Sequence, residues 1–186
     1  MNKDTLQTAI LAGGCFWCLE APMQRLKGVH SVLSGYMGGA IADPSYQQIC
    51  SGRSGHAEVV EIIYDENIIS YGQILDVFFV LHDPTQLNQQ GNDKGTQYRS
   101  AIFYGNEQEL LDAKQKIFEL SNNAKFIEEY GQKIVTTLEP VQKFYCADLQ
   151  HQNFYDNNPY QPYCQIMIAP KLAKLEHLFT DQLKPN

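Results

Sequence analysis

The segment Thr8-Ala9-Ile10-Leu11-Ala12-Gly13-Gly14-Cys15-Phe16-Trp17-Cys18 decides the fold. Its short apolar run, stopped by two glycines, predicts a buried strand over 8–12. From Phe16 to Lys27 the apolar side chains fall at helical spacing (Trp17, Leu19 or Glu20, Met23, Leu26), and Gly28 is the stop. Pro22 disturbs this helix. An internal proline costs about 3 kcal/mol, so a late start or a bend is expected.

Outward from this strand–turn–helix, Val29 to Tyr36 reads as a second strand, followed by a Gly/Pro-rich loop through Gly38-Gly39 and Asp43-Pro44-Ser45. His56 to Tyr64 alternates as a third strand, and Ser70 caps an amphipathic helix carrying Ile74, Leu75, Phe78, Phe79 and Leu81. Residues 83–98 form a polar loop long enough to suggest function. A fourth strand spans Ser100 to Tyr104, a charged helix Glu107 to Leu120, and a fifth strand Lys133 to Leu138. The order β-α-β-β-α-β is the split βαβ, ferredoxin-like arrangement. The expected fold is α/β (α+β), a two-layer sandwich with a mostly antiparallel sheet and helices on one face. A tail from Glu139 onward would wrap the core and end in a helix over 171–183. The whole chain, 1–186, reads as a single catalytic domain.

Composition narrows the partners. Hydrophobic residues make up 44% and charged residues 19% of the 186, the balance of a soluble globular chain. Lys plus Arg number 14 against 21 for Asp plus Glu, a net charge of -7 with no basic patch, so neither nucleic acid nor an anionic membrane is an expected partner. No apolar run reaches about 18 residues, and the polar start lacks a signal-peptide core. A cytoplasmic monomer is the expectation. Five cysteines, at 15, 18, 50, 146 and 164, cannot all pair internally; in a reducing compartment they suggest chemistry, metal or burial.

Cys15 and Cys18 lie where a strand gives way to a helix. Backbone N–H groups and the helix dipole there favour an anion, so a lowered Cys15 pKa is expected. The two glycines would let a substrate approach the backbone, and Phe16 and Trp17 would line a pocket. The plainer alternative makes all four residues core. A zinc site would need further ligands, such as Cys146 with His151, or Cys164. On the third strand Glu58 shares a face with Val60 and Ile62, and burial there would keep its carboxyl protonated and able to donate. Because Val59 and Ile63 are apolar too, a solvated Glu58 is the competing reading. Taken singly, Tyr46 and Tyr98 read as packing residues and Asp93 as a turn residue. His151 reads as a hydrogen-bonded structural histidine, Cys50 as inert and Cys146 as packing.

Together, GGCFWC at 13–18, GHAEVV at 55–60, HDPTQLNQQGND at 82–93, GTQYRSAI at 95–102 and HQNFYDNNPY at 151–160 resemble peptide methionine sulfoxide reductase of the A type, over about residues 8–164. The resemblance implies that Cys15 attacks the sulfoxide sulfur, that Glu58 protonates its oxygen with Tyr46 and Tyr98 hydrogen-bonding it, that Phe16 and Trp17 hold the S-methyl group, and that Asp93 positions the substrate backbone. It implies the S epimer, in oxidised proteins or as free methionine sulfoxide, repair under oxidative stress, no metal or cofactor, and thioredoxin as reductant. It also implies a sulfenic acid on Cys15 that a second thiol converts to a disulfide. Many members keep that thiol in a flexible Gly-rich tail, whereas Cys164 here precedes the apolar Gln165-Ile166-Met167-Ile168. Cys18 and Cys164 both remain candidates. Two other classes compete: a soft-metal carrier using Cys15 and Cys18, and a general thiol-disulfide oxidoreductase. Neither explains Glu58 with Tyr46 and Tyr98.

Overall fold

The computed structural model describes residues 5–185. The chain runs β1 (Leu6–Gly13), α1 (Trp17–Gln24), β2 (Val29–Met37), α2 (Tyr46–Cys50), β3 (Ala57–Asp65) and α3 (Tyr71–Leu81). It continues through β4 (Gln89–Gln90), β5 (Asp93–Lys94), β6 (Ser100–Tyr104), α4 (Glu107–Ser121), α5 (Ala124–Tyr130), β7 (Thr137–Pro140) and β8 (Tyr145–Cys146). Two further helices, α6 (Phe154–Asn157) and α7 (Ala169–Phe179), lie in the tail. The main sheet has the order β7-β6-β1-β3-β2-β8. Every neighbouring pair is antiparallel except β6 with β7. The inner four strands give the expected split βαβ core.

Both faces of the sheet are dry. On one, Leu11, Val60, Ile62 and Ile102 pack against Leu19 and Met23 of α1 and Ile74, Leu75 and Phe78 of α3. On the other, Ile10, Ala12, Met37, Ala57, Val59, Ala101 and Phe103 form a second cluster closed by Phe144 from the tail. This is why β3 reads as apolar on both sides. Glu58 falls on the helix-covered face with Val60, as the alternation predicts.

α1 starts at Trp17 with no delay, and Pro22 lies inside it near an early end at Gln24. The Gly/Pro-rich loop holds a helix the apolar pattern does not show. α2 is capped by Ser45, whose hydroxyl accepts from the Gln48 amide while the Gln48 side chain returns to the Ser45 amide. Ser70 and Gln73 repeat that box at α3. The fifth strand sits later than expected, at Thr137–Pro140, where the Arg99 guanidinium pairs with Glu139 at 3.1 Å. α7 begins before Lys171 and ends at Phe179, and the 83–98 loop carries the small β4–β5 hairpin.

The tail is tied down by polar contacts. The Gln152 side chain accepts from the Ser34 amide at 2.9 Å and donates to the Ser34 and Ala147 carbonyls. Buried Glu20 of α1 accepts from the amides of Asn153 and Phe154, at the start of α6. These contacts carry the 151–164 segment over the N-terminal end of α1.

Candidate active site

The turn between β1 and α1 is shaped by what packs on it. Gly14 has φ +90°, and a Cβ there would lie 2.7 Å from the Gln90 side chain; one on Gly13 would lie 3.0 Å from Phe78 and 3.1 Å from His82. The glycines therefore admit neighbouring protein groups where the sequence suggested a substrate. His82 is buried between the Phe78 carbonyl and the Ser100 hydroxyl, and burial pulls its pKa down to about 4, so the ring is a neutral spacer.

Cys15 and Cys18 follow as free thiols, 8% and 4% exposed. Glu58 is 2% exposed, and its Oε2 accepts the Phe16 amide at 3.0 Å. That bond sets the carboxyl beside the residue that follows Cys15, and the Glu58 and Cys15 side chains bear on each other electrostatically. Burial, reinforced by the nearby charges of Asp93 and Cys18, pushes the Glu58 pKa up to about 8. The solvated reading of Glu58 is thereby overturned.

The expected lowering of the Cys15 pKa is reversed. Burial raises it well above the usual thiol value, helped by Cys18 and by the Glu58 charge. The free amide at the helix start goes to Glu58, which removes the stabilisation the sequence assigned to Cys15. Cys18 moves the other way, down to about 7, chiefly because Cys15 donates to its sulfur, with the Lys171 charge and the Tyr163 hydroxyl assisting.

Aromatic rings wall the site. Phe16 is wholly buried, 5.8 Å from Tyr36 and 5.8 Å from His151, centroid to centroid. Trp17 stacks on Phe154 at 3.6 Å, and its Nε1 donates to the His151 carbonyl at 3.0 Å. Tyr46 lies 4.6 Å from the His151 ring. A cavity of about 590 Å³ opens between Trp17, Tyr46, His151, Phe154, Asn157 and Asn158. Tyr46, half-buried Tyr98 and buried Tyr36 all feel the Glu58 charge, which with burial raises their phenol pKa values. Asp93 accepts the Tyr163 hydroxyl at 3.1 Å, and that hydroxyl lies 3.7 Å from Cys18 Sγ.

Sequence reasoning missed two residues here, Tyr36 and Tyr163, and misread a third, His151. Tyr36 pairs directly with Glu58 across β2 and β3, and nothing in the strand pattern singled it out. His151 is buried with neither ring nitrogen bonded, unlike the hydrogen-bonded histidine expected. Tyr163 stands beside Cys164, which is fully buried in a π-helical turn (Cys164–Ile168). Cys50 is exposed near Tyr46, and Cys146 is exposed on β8, where packing was expected. Among the described residues no group of three or more His, Cys, Asp or Glu is arranged to hold a metal ion, and no helix is long and apolar enough to cross a membrane.

The profile of the family described as peptide methionine sulfoxide reductase matches residues 7–183. The chain belongs to the peptide methionine sulfoxide reductase family. It is 49% identical over 179 residues to peptide methionine sulfoxide reductase MsrA of Saccharolobus solfataricus, covering 96% of this chain and 98% of that protein. It is 51% identical over 166 residues to the MsrA of Nautilia profundicola, covering 89% and 92%. Its structure superposes on methionine sulfoxide reductase A of Corynebacterium diphtheriae with a TM-score of 0.77 at 31% identity, over 87% and 80% of the two chains. As a peptide methionine sulfoxide reductase it is an oxidoreductase acting on methionine sulfoxide.

Proposed function

We propose that the whole chain works as one catalytic unit, a cytoplasmic monomer that repairs oxidised proteins and reduces free methionine S-sulfoxide. The observation that carries the mechanism is a buried Glu58 carboxyl, its pKa pushed up to about 8, bonded to the backbone amide that follows Cys15. Phe16 and Trp17 hold the S-methyl group, and the sulfoxide oxygen takes hydrogen bonds from Glu58, Tyr46 and Tyr98. A sulfoxide oxygen leaves sulfur only as it gains a proton, so the acid must be protonated at working pH. A raised thiol pKa on Cys15 suits late ionisation, because a carboxylate and a thiolate side by side would repel.

The sulfur–oxygen bond of the substrate breaks, a bond forms between that oxygen and Cys15 sulfur, and methionine leaves with Cys15 as sulfenic acid. Cys18 then attacks Cys15. The new S–S bond replaces the S–O bond, and the oxygen departs as water with the Cys18 proton. Contact of the two thiols and the lower pKa of Cys18 support this order. Buried Cys164, close enough to sense the Cys18 charge, follows as a second exchange partner. Asp93 orients the substrate backbone beside Tyr163, and thioredoxin supplies the electrons by dithiol exchange. No cofactor or metal takes part.

Single turnover of the S and R epimers in a Cys18→Ser, Cys164→Ser double variant tests this reading. Dimedone is expected to label Cys15 after S-sulfoxide and leave the enzyme unlabelled after R-sulfoxide. A label on any other residue, or equal labelling by the two epimers, overturns the reading.

A further inference from the structure

Arg99 follows Tyr98 directly in the chain, and its guanidinium is bonded to three separate segments. Nε and Nη2 donate to the two carboxylate oxygens of Glu139 on β7, at 3.1 and 3.2 Å. Nη1 donates to the Thr96 carbonyl at 3.1 Å and to the Gly55 carbonyl at 3.2 Å. Thr96 opens the 3-10 turn Thr96–Tyr98, and Gly55 lies just ahead of β3, the strand of Glu58. One side chain thus joins the turn that carries a phenol of the site to the start of the strand that carries the acid. It is 14% exposed, and a Cβ on Gly38, just after β2, would lie 2.7 Å from Nη2. The guanidinium is walled in, and its planar fork cannot turn without losing bonds.

Tyr98 itself is half-buried against the cluster that holds Cys15 and Phe16. Among the described residues no hydrogen bond fixes its hydroxyl, so the turn and the packing set where that hydroxyl lies. The other bonds of the turn are local or exposed: the Tyr98 amide to the Gly95 carbonyl at 3.0 Å, the Arg99 amide to the Thr96 carbonyl at 3.2 Å, and the Thr96 hydroxyl to the Gly52 carbonyl at 3.2 Å. Arg99 adds the link to β3 and β7.

We propose that Arg99 is a positioning residue, which sets the Tyr98 hydroxyl against the sulfoxide oxygen by tying the turn of Tyr98 to the start of the Glu58 strand. The inference rests on the reading that Tyr98 hydrogen-bonds that oxygen. The acid and the phenol must meet one atom of the substrate, so their spacing matters more than the place of either alone. A misplacement of about 1 Å can cost about 10²-fold in rate. Without the guanidinium the Gly55 and Thr96 carbonyls lose their shared donor, and the turn and the strand are free to part. A lysine supplies a point charge for Glu139 but has no planar fork to span both carbonyls as well.

The test is a double-mutant cycle on the single-turnover rate of methionine release, with urea denaturation of each variant alongside. Tyr98→Phe is expected to slow the step about tenfold or more, as the loss of one donor to the oxygen. Arg99→Met is expected to slow it about tenfold, and Arg99→Lys, which keeps the charge and serves where Arg99→Met does not fold, to do the same. The double variant of Tyr98→Phe with either is expected to be no slower than the slower single, because a hydroxyl that is absent cannot be misplaced. Tyr46→Phe, on α2, is expected to multiply with Arg99→Lys. Multiplicative losses in the Tyr98 cycle overturn the proposal, as does a wild-type rate in Arg99→Lys. A Tyr46 cycle as non-additive as the Tyr98 cycle shows a general loosening of the site and overturns it too. The two failures are distinct: Tyr98→Phe at the wild-type rate sinks the reading of Tyr98 and this inference with it, whereas a slow Tyr98→Phe that multiplies with Arg99→Lys sinks the inference alone.

Discussion

The Phe16 amide donates to Glu58 Oε2 at 3.0 Å, and this bond joins the helix start that carries Cys15 to the strand that carries the acid. One carboxylate oxygen is engaged by the backbone, leaving the other for a proton. The helix N-terminus, which by itself favours a thiolate, here orients a carboxyl.

The pH dependence follows from that carboxyl. With the Glu58 pKa raised to about 8, the acid is protonated at lower pH and is lost as pH rises through that value. The single-turnover rate of methionine release is expected to fall above about pH 8, with a slope that vanishes in Glu58→Gln. That variant is expected to be slower by about 10²-fold, the scale of general acid catalysis. An unchanged rate in Glu58→Gln removes the residue from the mechanism.

Cys15→Ser is expected to abolish turnover of a methionine sulfoxide peptide, because Cys15 is the thiol that directly precedes the amide held by Glu58. Measurable turnover at the wild-type rate contradicts the assignment of the nucleophile.

Cys18→Ser and Cys164→Ser separate the thiols. The first is expected to prolong the Cys15 sulfenic acid, visible as a larger dimedone adduct by mass spectrometry. The second is expected to form a Cys15–Cys18 disulfide at close to the wild-type rate.

Gly14→Ala is expected to destabilise the fold by about 1–3 kcal/mol in urea denaturation, since it combines a left-handed backbone with a collision against Gln90. Adding Gln90→Ala relieves the collision and leaves the backbone strain, so recovery is expected to be partial.

Trp17→Phe keeps the stacking surface on Phe154 and removes the Nε1 donor to the His151 carbonyl. The tail segment that lines the cavity loses an anchor. KM for a sulfoxide peptide is expected to rise more than KM for free methionine sulfoxide, as steady-state assays with both substrates would show.

β1, β2, β3 and β6 and the helices α1, α3 and α4 were legible because each carries an apolar face of the right period. α2 was not, since its only strong signal is the Ser45–Gln48 box and one buried side chain, Ile49. β7 was misplaced because it borrows an edge from β6 and needs little apolar surface of its own. Within the site, Cys15, Cys18, Phe16 and Trp17 announced themselves by spacing. Tyr36 and Tyr163 carried no such mark, being ordinary residues until the sheet and tail placed them beside Glu58 and Cys18.

The sequence by itself determined the split βαβ order, the position of the two thiols at a helix start and the face of β3 that Glu58 occupies, because these depend on local period and turn chemistry. Which thiol ionises first was decided by tertiary structure alone. Burial, the Phe16–Glu58 bond and the charges gathered by the sheet and tail depend on what lies close in space, and charges near a sulfur are set by distance rather than by order along the chain.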